Sequence, residues 1–139
     1  MGRLARFGVA MDEDLLRRFD VLVARRGSAA NRSEAVRDLV RDALVDAERE
    51  DSRAECIGTI TMVFDHGHSD LSDKLDALQH ARHEQIVSSM HVHLDAHSCL
   101  EVLVVRASAP EVRSIADTIL GTKGVKHGGL VMTTTGKRL

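Results

Sequence analysis

The chain alternates between two periods of apolar residues. In RLARFGVAM, Phe7, Val9 and Met11 alternate with Arg6, Gly8 and Ala10, the period of two of a half-buried strand. No neighbouring segment can pair with it, and a lone strand is unstable in water, so a second copy of the chain is the expected partner. The period then changes to that of a helix. Leu15, Leu16, Phe19, Leu22 and Val23 fall on one stripe of DEDLLRRFDVLVARRG, with acids in the first turn, Arg25 and Arg26 in the last, and Gly27 as terminator. NRSEAVRDLVRDALVDAE follows, with Asn31 as N-cap, Glu34 three residues on, and a stripe of Ala35, Val36, Leu39, Val40, Ala43 and Leu44.

Beyond the charged seam EREDSRAE (48–55) the pattern predicts strand 56–64, helix 69–83, strands 85–94 and 99–107, a helix opened by Pro110 and ended by Gly121 or Gly124, and a last strand in VKHGGLVMTTT. That order, βαββαβ, is a ferredoxin-like split βαβ unit. The expected fold class is α+β. A βαα unit over residues 1–50, too small to bury its own apolar faces, precedes a ferredoxin-like domain over 51–139.

Composition narrows the function. Of 139 residues, 43% are hydrophobic but only 2% aromatic, so recognition by stacking on nucleic-acid bases is not expected. No apolar stretch reaches the ~20 residues that span a bilayer, and the N-terminus meets acids too soon to be a signal peptide. No membrane partner and a cytoplasmic location are therefore expected. Cys56 and Cys99 are expected as reduced thiols.

All eight histidines lie in the second half, and three of them crowd MHVHLDAHSC (90–99). If the turn centres on Ala96, His93 stands opposite Cys99. Opposed residues share a sheet face, so His91, His93 and Cys99 converge. Cα separations of roughly 5 to 7 Å then let the side chains meet one metal with bonds of about 2.0 to 2.3 Å. The even positions, Ile86, Ser88, Met90, Val92 and Leu94 with Leu100, Val102 and Val104, are expected under the domain's helices. The ligand face, with Val87, Leu103 and Val105, is expected to be covered by another subunit. His80 or His83 would supply the fourth donor. Such an N₃S set suits zinc if tetrahedral, and Ni(II) or Cu(II) if planar.

In the first half, a paired ribbon could enter the DNA major groove. Arg6 would contact guanine, while Gly8 and Ala10 would allow close approach. Arg32, Ser33 and the amides opening the second helix would take a phosphate. Ten arginines against ten acids leave residues 1–50 neutral overall, which equally suits a plain dimerisation module.

RFGVAMDEDLLRRFD, RRG and NRSEAVRDLVRDAL resemble a ribbon-helix-helix DNA-binding domain, an intertwined dimer. With QH at 79–80, HVH followed by Cys99-Leu100-Glu101, and GVKHG at 124–128, the chain over residues 3–132 resembles the nickel-responsive transcriptional regulators of the NikR type. The resemblance implies a homotetramer, a dimer of dimers, with ACT-type central domains binding Ni(II), one per subunit, in planar fashion at subunit interfaces. By motif, His91, His93 and Cys99 come from one subunit and His80 from its neighbour. Glu101 would support the ligands, and Glu34 and Asp38 would hold a cation between domains. The ribbon departs from the family: hydroxyl residues usually follow the outward Arg, whereas here Gly8 and Ala10 do, and the GSAAN loop is slightly longer.

The expectation is thus a nickel-responsive regulator of a double-stranded DNA operator, a repressor of nickel-uptake genes and not an enzyme. The alternatives are a metal-storage or chaperone protein, and an ACT-type regulator sensing a small molecule.

Overall fold

The computed structural model describes residues 2–27, 31–67 and 70–139. The central residues of the GSAAN loop, the amino-terminal Met1, and His68 and Ser69 at the expected start of the third helix lie outside them. The chain divides into two compact units, Met1–Asp42 and Ala43–Leu139.

In the first unit, residues 2–12 form neither helix nor strand within the single chain, and Phe7 and Val9 are largely exposed. Helix α1 (Glu13–Arg25) starts at Asp12, whose carboxylate accepts from the amides of Asp14 at 2.9 Å and Leu15 at 3.3 Å. Gly27, at φ 111°, takes the left-handed conformation that carries the chain off a helix end. Helix α2 (Arg32–Glu50) begins where Asn31 Oδ1 accepts from the Glu34 amide at 2.9 Å, the expected N-cap. Among the described residues of this unit, only Val23 and Ala35 are buried. Each helix keeps most of its apolar stripe in water, so a single copy gains little from folding this segment.

The second unit carries the predicted βαββαβ order: β1 (Glu55–Asp65), α3 (Leu71–Ala81), β2 (Ile86–His93), β3 (Ser98–Ser108), α4 (Ala109–Leu120) and β4 (Val125–Thr134). The sheet order is β2-β3-β1-β4 with every pairing antiparallel. Helix α4 opens where the Ser108 hydroxyl (2.8 Å) and amide (3.2 Å) both donate to Glu111. One aliphatic core joins Cys56, Ile60, Met62 and Phe64 of β1 with Cys99, Leu103 and Val105 of β3, Leu71 and Leu75 of α3, and Val112, Ile115 and Ile119 of α4.

That core reverses the expected assignment of sheet faces. Cys99, Leu103 and Val105 are fully buried with the helices, and Glu101 among them is 6% exposed. Leu100, Val102 and Val104 are only half-buried, and Met90 is 60% exposed. The odd positions of β3 therefore lie on the helix side, buried by the chain's own helices, and its even positions lie on the open face, while β2 at the sheet edge stays exposed at both. The cause is visible in β3, where CLEVLVV is apolar at both parities, so alternation within it does not identify the inner face. The deciding contacts come from β1, far away in sequence, whose positions 56, 60, 62 and 64 are buried in strict alternation.

Gly58 marks a close approach of α4 to the sheet. A Cβ there would lie 2.4 Å from Val112 Cγ1, a branched side chain with little freedom to retreat. Gly58→Ala is expected to destabilise the protein by about 1–3 kcal/mol through overpacking, read as a lower urea midpoint with unchanged slope.

Candidate metal centre

The hairpin turn is built from one carboxylate. Asp95 Oδ1 accepts from the amides of His97 at 2.8 Å and Ser98 at 2.7 Å, and these bonds hold its carboxyl below the usual aspartate range. With the Leu94 amide bonded to the Ser98 carbonyl at 2.9 Å, the turn brings His93 opposite Cys99 and His91 opposite Glu101. Across the next strand, Cys99 pairs with Phe64 and Glu101 with Met62. Two rungs thus run across the helix-side face: Phe64, Cys99, His93, and then Met62, Glu101, His91.

Cys99 Sγ lies 3.5 Å from His93 Nδ1, and the His91 and His93 ring centres are 5.1 Å apart. The His91 ring meets Phe64 edge-on at 5.7 Å. The hairpin therefore places these three side chains on one face, as the sequence reading expected. Cys99 is buried at the core edge, while His91 and His93 on edge strand β2 stay exposed.

Glu101 sits beside them under α3. Gln79 Nε2 donates to its Oε1 at 2.8 Å, tying the C-terminal turn of that helix to β3. His80 is the next residue, exposed, with its carbonyl facing His83 Nδ1 at 3.1 Å. Neither His80 nor His83 joins a group of three donors among the described residues. The donors that do converge within one chain are His66, His93 and Cys99, whose ligand atoms all lie within 4.8 Å of one another. His66 was absent from the sequence-derived set. Its signal was faint: it continues the buried parity of β1 at 60, 62 and 64 past the strand end. The residues present suit a thiophilic or borderline cation, for they offer imidazole nitrogens and one thiol.

The positions expected at DNA divide into two groups. Arg6, Gly8 and Ala10 lie exposed in the segment that precedes α1. At the start of α2, Ser33 is exposed, while Arg32 donates from Nε and Nη2 to both carboxylate oxygens of Asp20, at 2.7 and 2.8 Å. That bidentate pair lowers the Asp20 pKa. Glu34 is paired with Arg37, and Asp38 with Arg26 and Arg41, so each acid expected to hold a cation faces a guanidinium.

Residues 57–133, which include every candidate ligand, match the family model described as the NikR C-terminal nickel-binding domain. Residues 5–47 match the model of ribbon-helix-helix proteins of the copG family. The chain belongs to the nickel-responsive regulator family. Relatives named as nickel-responsive regulators include those of Geobacter sp. (strain M21) and Geobacter sulfurreducens, each 58% identical over all 139 residues and 99% of the relative. One from Caldanaerobacter subterraneus subsp. tengcongensis is 52% identical over 98% of this chain and 88% of its own length. In this family setting, the second unit is the nickel-binding domain and the segment carrying Arg6, Gly8, Ala10, Arg32 and Ser33 is the ribbon-helix-helix.

The Gln79–Glu101 bond yields a test that needs no metal. Gln79→Leu leaves a buried carboxyl without its donor and is expected to cost about 1–3 kcal/mol in unfolding free energy. Adding Glu101→Leu should recover most of that loss, because neither polar group then needs a partner. Additive losses in the double variant would contradict the pairing.

Proposed function

We propose that the chain is a Ni(II)-responsive DNA-binding regulator, a repressor of nickel-uptake genes in the cytoplasm, and not an enzyme. The observation that carries this reading is the pairing of His93 with Cys99 on a single rung, next to His91, in a chain that also bears a ribbon-helix-helix segment. His91, His93 and Cys99 of one subunit, with His80 of a neighbour, hold one Ni(II) per subunit in a homotetramer. Bound there, the ion contributes bonds that exist only in the assembled arrangement, and it shifts the equilibrium by that differential affinity.

Two surfaces support assembly. The open face of the sheet exposes Met90 (60%) and Val131 (70%) beside the half-buried Val102 and Val104, and another subunit covers it. The segment 6–11 pairs with its counterpart in a second copy, which buries Phe7, Val9 and Met11 together with the stripes of α1 and α2. Arg6 then faces a double-stranded operator, with Gly8 and Ala10 allowing close approach. Ser33 and the first amides of α2 receive a phosphate. Arg32, already engaged by Asp20, contributes less charge there. Glu34 and Asp38 are the acids available to an interdomain cation, in competition with the arginines that face them.

Among the described residues, no helix is long and apolar enough to cross a membrane. We read the clustered donors as ligands because His66, His93 and Cys99 each bring a ligand atom to within 4.8 Å of the others.

A nickel titration followed by absorption and by DNA binding tests the reading. An intense thiolate charge-transfer band is expected to grow in with operator affinity, and Cys99→Ala should abolish both. DNA binding that ignores nickel, or is absent with and without it, would overturn the regulator. Arg6→Ala is expected to weaken operator binding by about 1–3 kcal/mol and relax preference at one base position, and an unchanged sequence preference would remove that contact.

A further inference from the structure

The arginines of the first unit are engaged in two different ways. Arg17 with Asp14, Arg37 with Glu34 and Arg41 with Asp38 follow the i,i+3 spacing of a solvated helix face. Pairs of that kind add little to either stability or recognition. Arg32 is held differently. It opens α2, yet its partner Asp20 lies on α1, 12 residues earlier, and both oxygens of that carboxylate are used, at 2.7 Å from Nε and 2.8 Å from Nη2. Such a parallel two-point contact is also how a guanidinium grips a phosphate.

Arg32 stands beside the exposed Ser33, at a helix start whose amides favour an anion. A guanidinium has five N–H donors, and Asp20 takes two of them along one edge. The carboxylate also cancels the charge, so a phosphate at a distance meets a dipole instead of a cation. Hydrogen bonds from Arg32 keep the Asp20 carboxyl below the usual aspartate range, and it stays ionised at neutral pH.

We infer that Asp20 is an internal stand-in for a DNA phosphate: it occupies Arg32 while the chain is off the duplex and must be displaced by a backbone phosphate when the chain binds. This rests on the DNA-binding reading above.

Both partners are substantially exposed, Arg32 at 60% and Asp20 at 41%, so a phosphate can make the exchange without disturbing the core. The exchange trades one oxyanion for another around the same guanidinium. Arg32 therefore adds less to duplex affinity than an unengaged arginine would. Because an exposed pair is weak, Asp20 lowers affinity by a modest factor and does not block binding. Occupancy of DNA is left to depend on contacts other than this arginine.

Affinity is measured for two duplexes, one from the sequence upstream of the chain's own gene and one of scrambled sequence, with and without Ni(II), over a salt series. The proteins are the full chain and its Asp20→Asn, Asp20→Glu, Arg32→Ala, Asp20→Asn/Arg32→Ala and Asp42→Asn variants. Asp42 is exposed on α2, so Asp42→Asn makes the same change of charge without releasing Arg32. Asp20→Asn should bind both duplexes about two- to fivefold more tightly per contacting subunit at low salt, with a gain that shrinks as salt rises. Asp20→Glu, which keeps the carboxylate, should bind as the unmodified chain does. Neither Asp42→Asn nor Asp20→Asn in the Arg32→Ala background should reproduce the gain. An equal gain in Asp42→Asn, a gain that persists without Arg32, or weaker binding by Asp20→Asn would each overturn the inference, the last because Asp20 would then brace Arg32 against the phosphate. Nickel-dependent binding that ignores Asp20→Asn removes the role of Asp20 and leaves the regulator standing. If the Asp20 results hold while nickel changes nothing, the regulator fails and the exchange at Arg32 stands.

Discussion

The register of one hairpin governs this molecule. His93 lies opposite Cys99, and Cys99 lies opposite Phe64, because Asp95 closes the turn with two amide bonds and Leu94 closes the ladder behind it. A slip of one residue would turn the thiol to the open face and drive Leu100 into the core. The buried sulfur is therefore anchored from behind by aliphatic packing, while the imidazoles next to it reach solvent on an edge strand. A site of that kind is rigid on one side and unfinished on the other, so its remaining coordination positions are free for donors from elsewhere.

The second support is the bond from Gln79 to Glu101. It carries no charge to the metal group, but it locks the end of α3 onto β3 one rung from Cys99. The exposed His80 is displayed at that locked end. The same domain therefore presents a three-sided donor pocket at the hairpin and a separate outward-facing imidazole, a division of labour that suits ligation across a subunit boundary. The first unit obeys a similar logic of incompleteness. Among its described residues, the alternating segment and two amphipathic helices bury only Val23 and Ala35 and leave the rest of their apolar stripes without cover in the single chain.

Much of this could be read from the chain. The helix cap at Asn31, the βαββαβ order and the hairpin register all follow from local chemistry, where a few residues decide the outcome. The face on which the ligands stand could not be read in the same way. The parity of β3 is ambiguous because both of its faces are aliphatic, and the choice is made by β1, some forty residues earlier, against which β3 aligns Phe64 with Cys99. His66 escaped for the same reason, since its closeness to the hairpin is a product of that long-range pairing. The engagement of Arg32 by Asp20 also joins residues of different helices, and no local pattern announces it.

X-ray absorption at the nickel edge of the loaded full-length chain is the most direct measurement of whether Cys99 and the hairpin imidazoles hold the ion. The account predicts one sulfur scatterer with imidazole nitrogens in a four-coordinate shell, and loss of the sulfur contribution in Cys99→Ser. A shell of oxygen and nitrogen alone in the unmodified chain, or a sulfur contribution that survives the substitution, would contradict it.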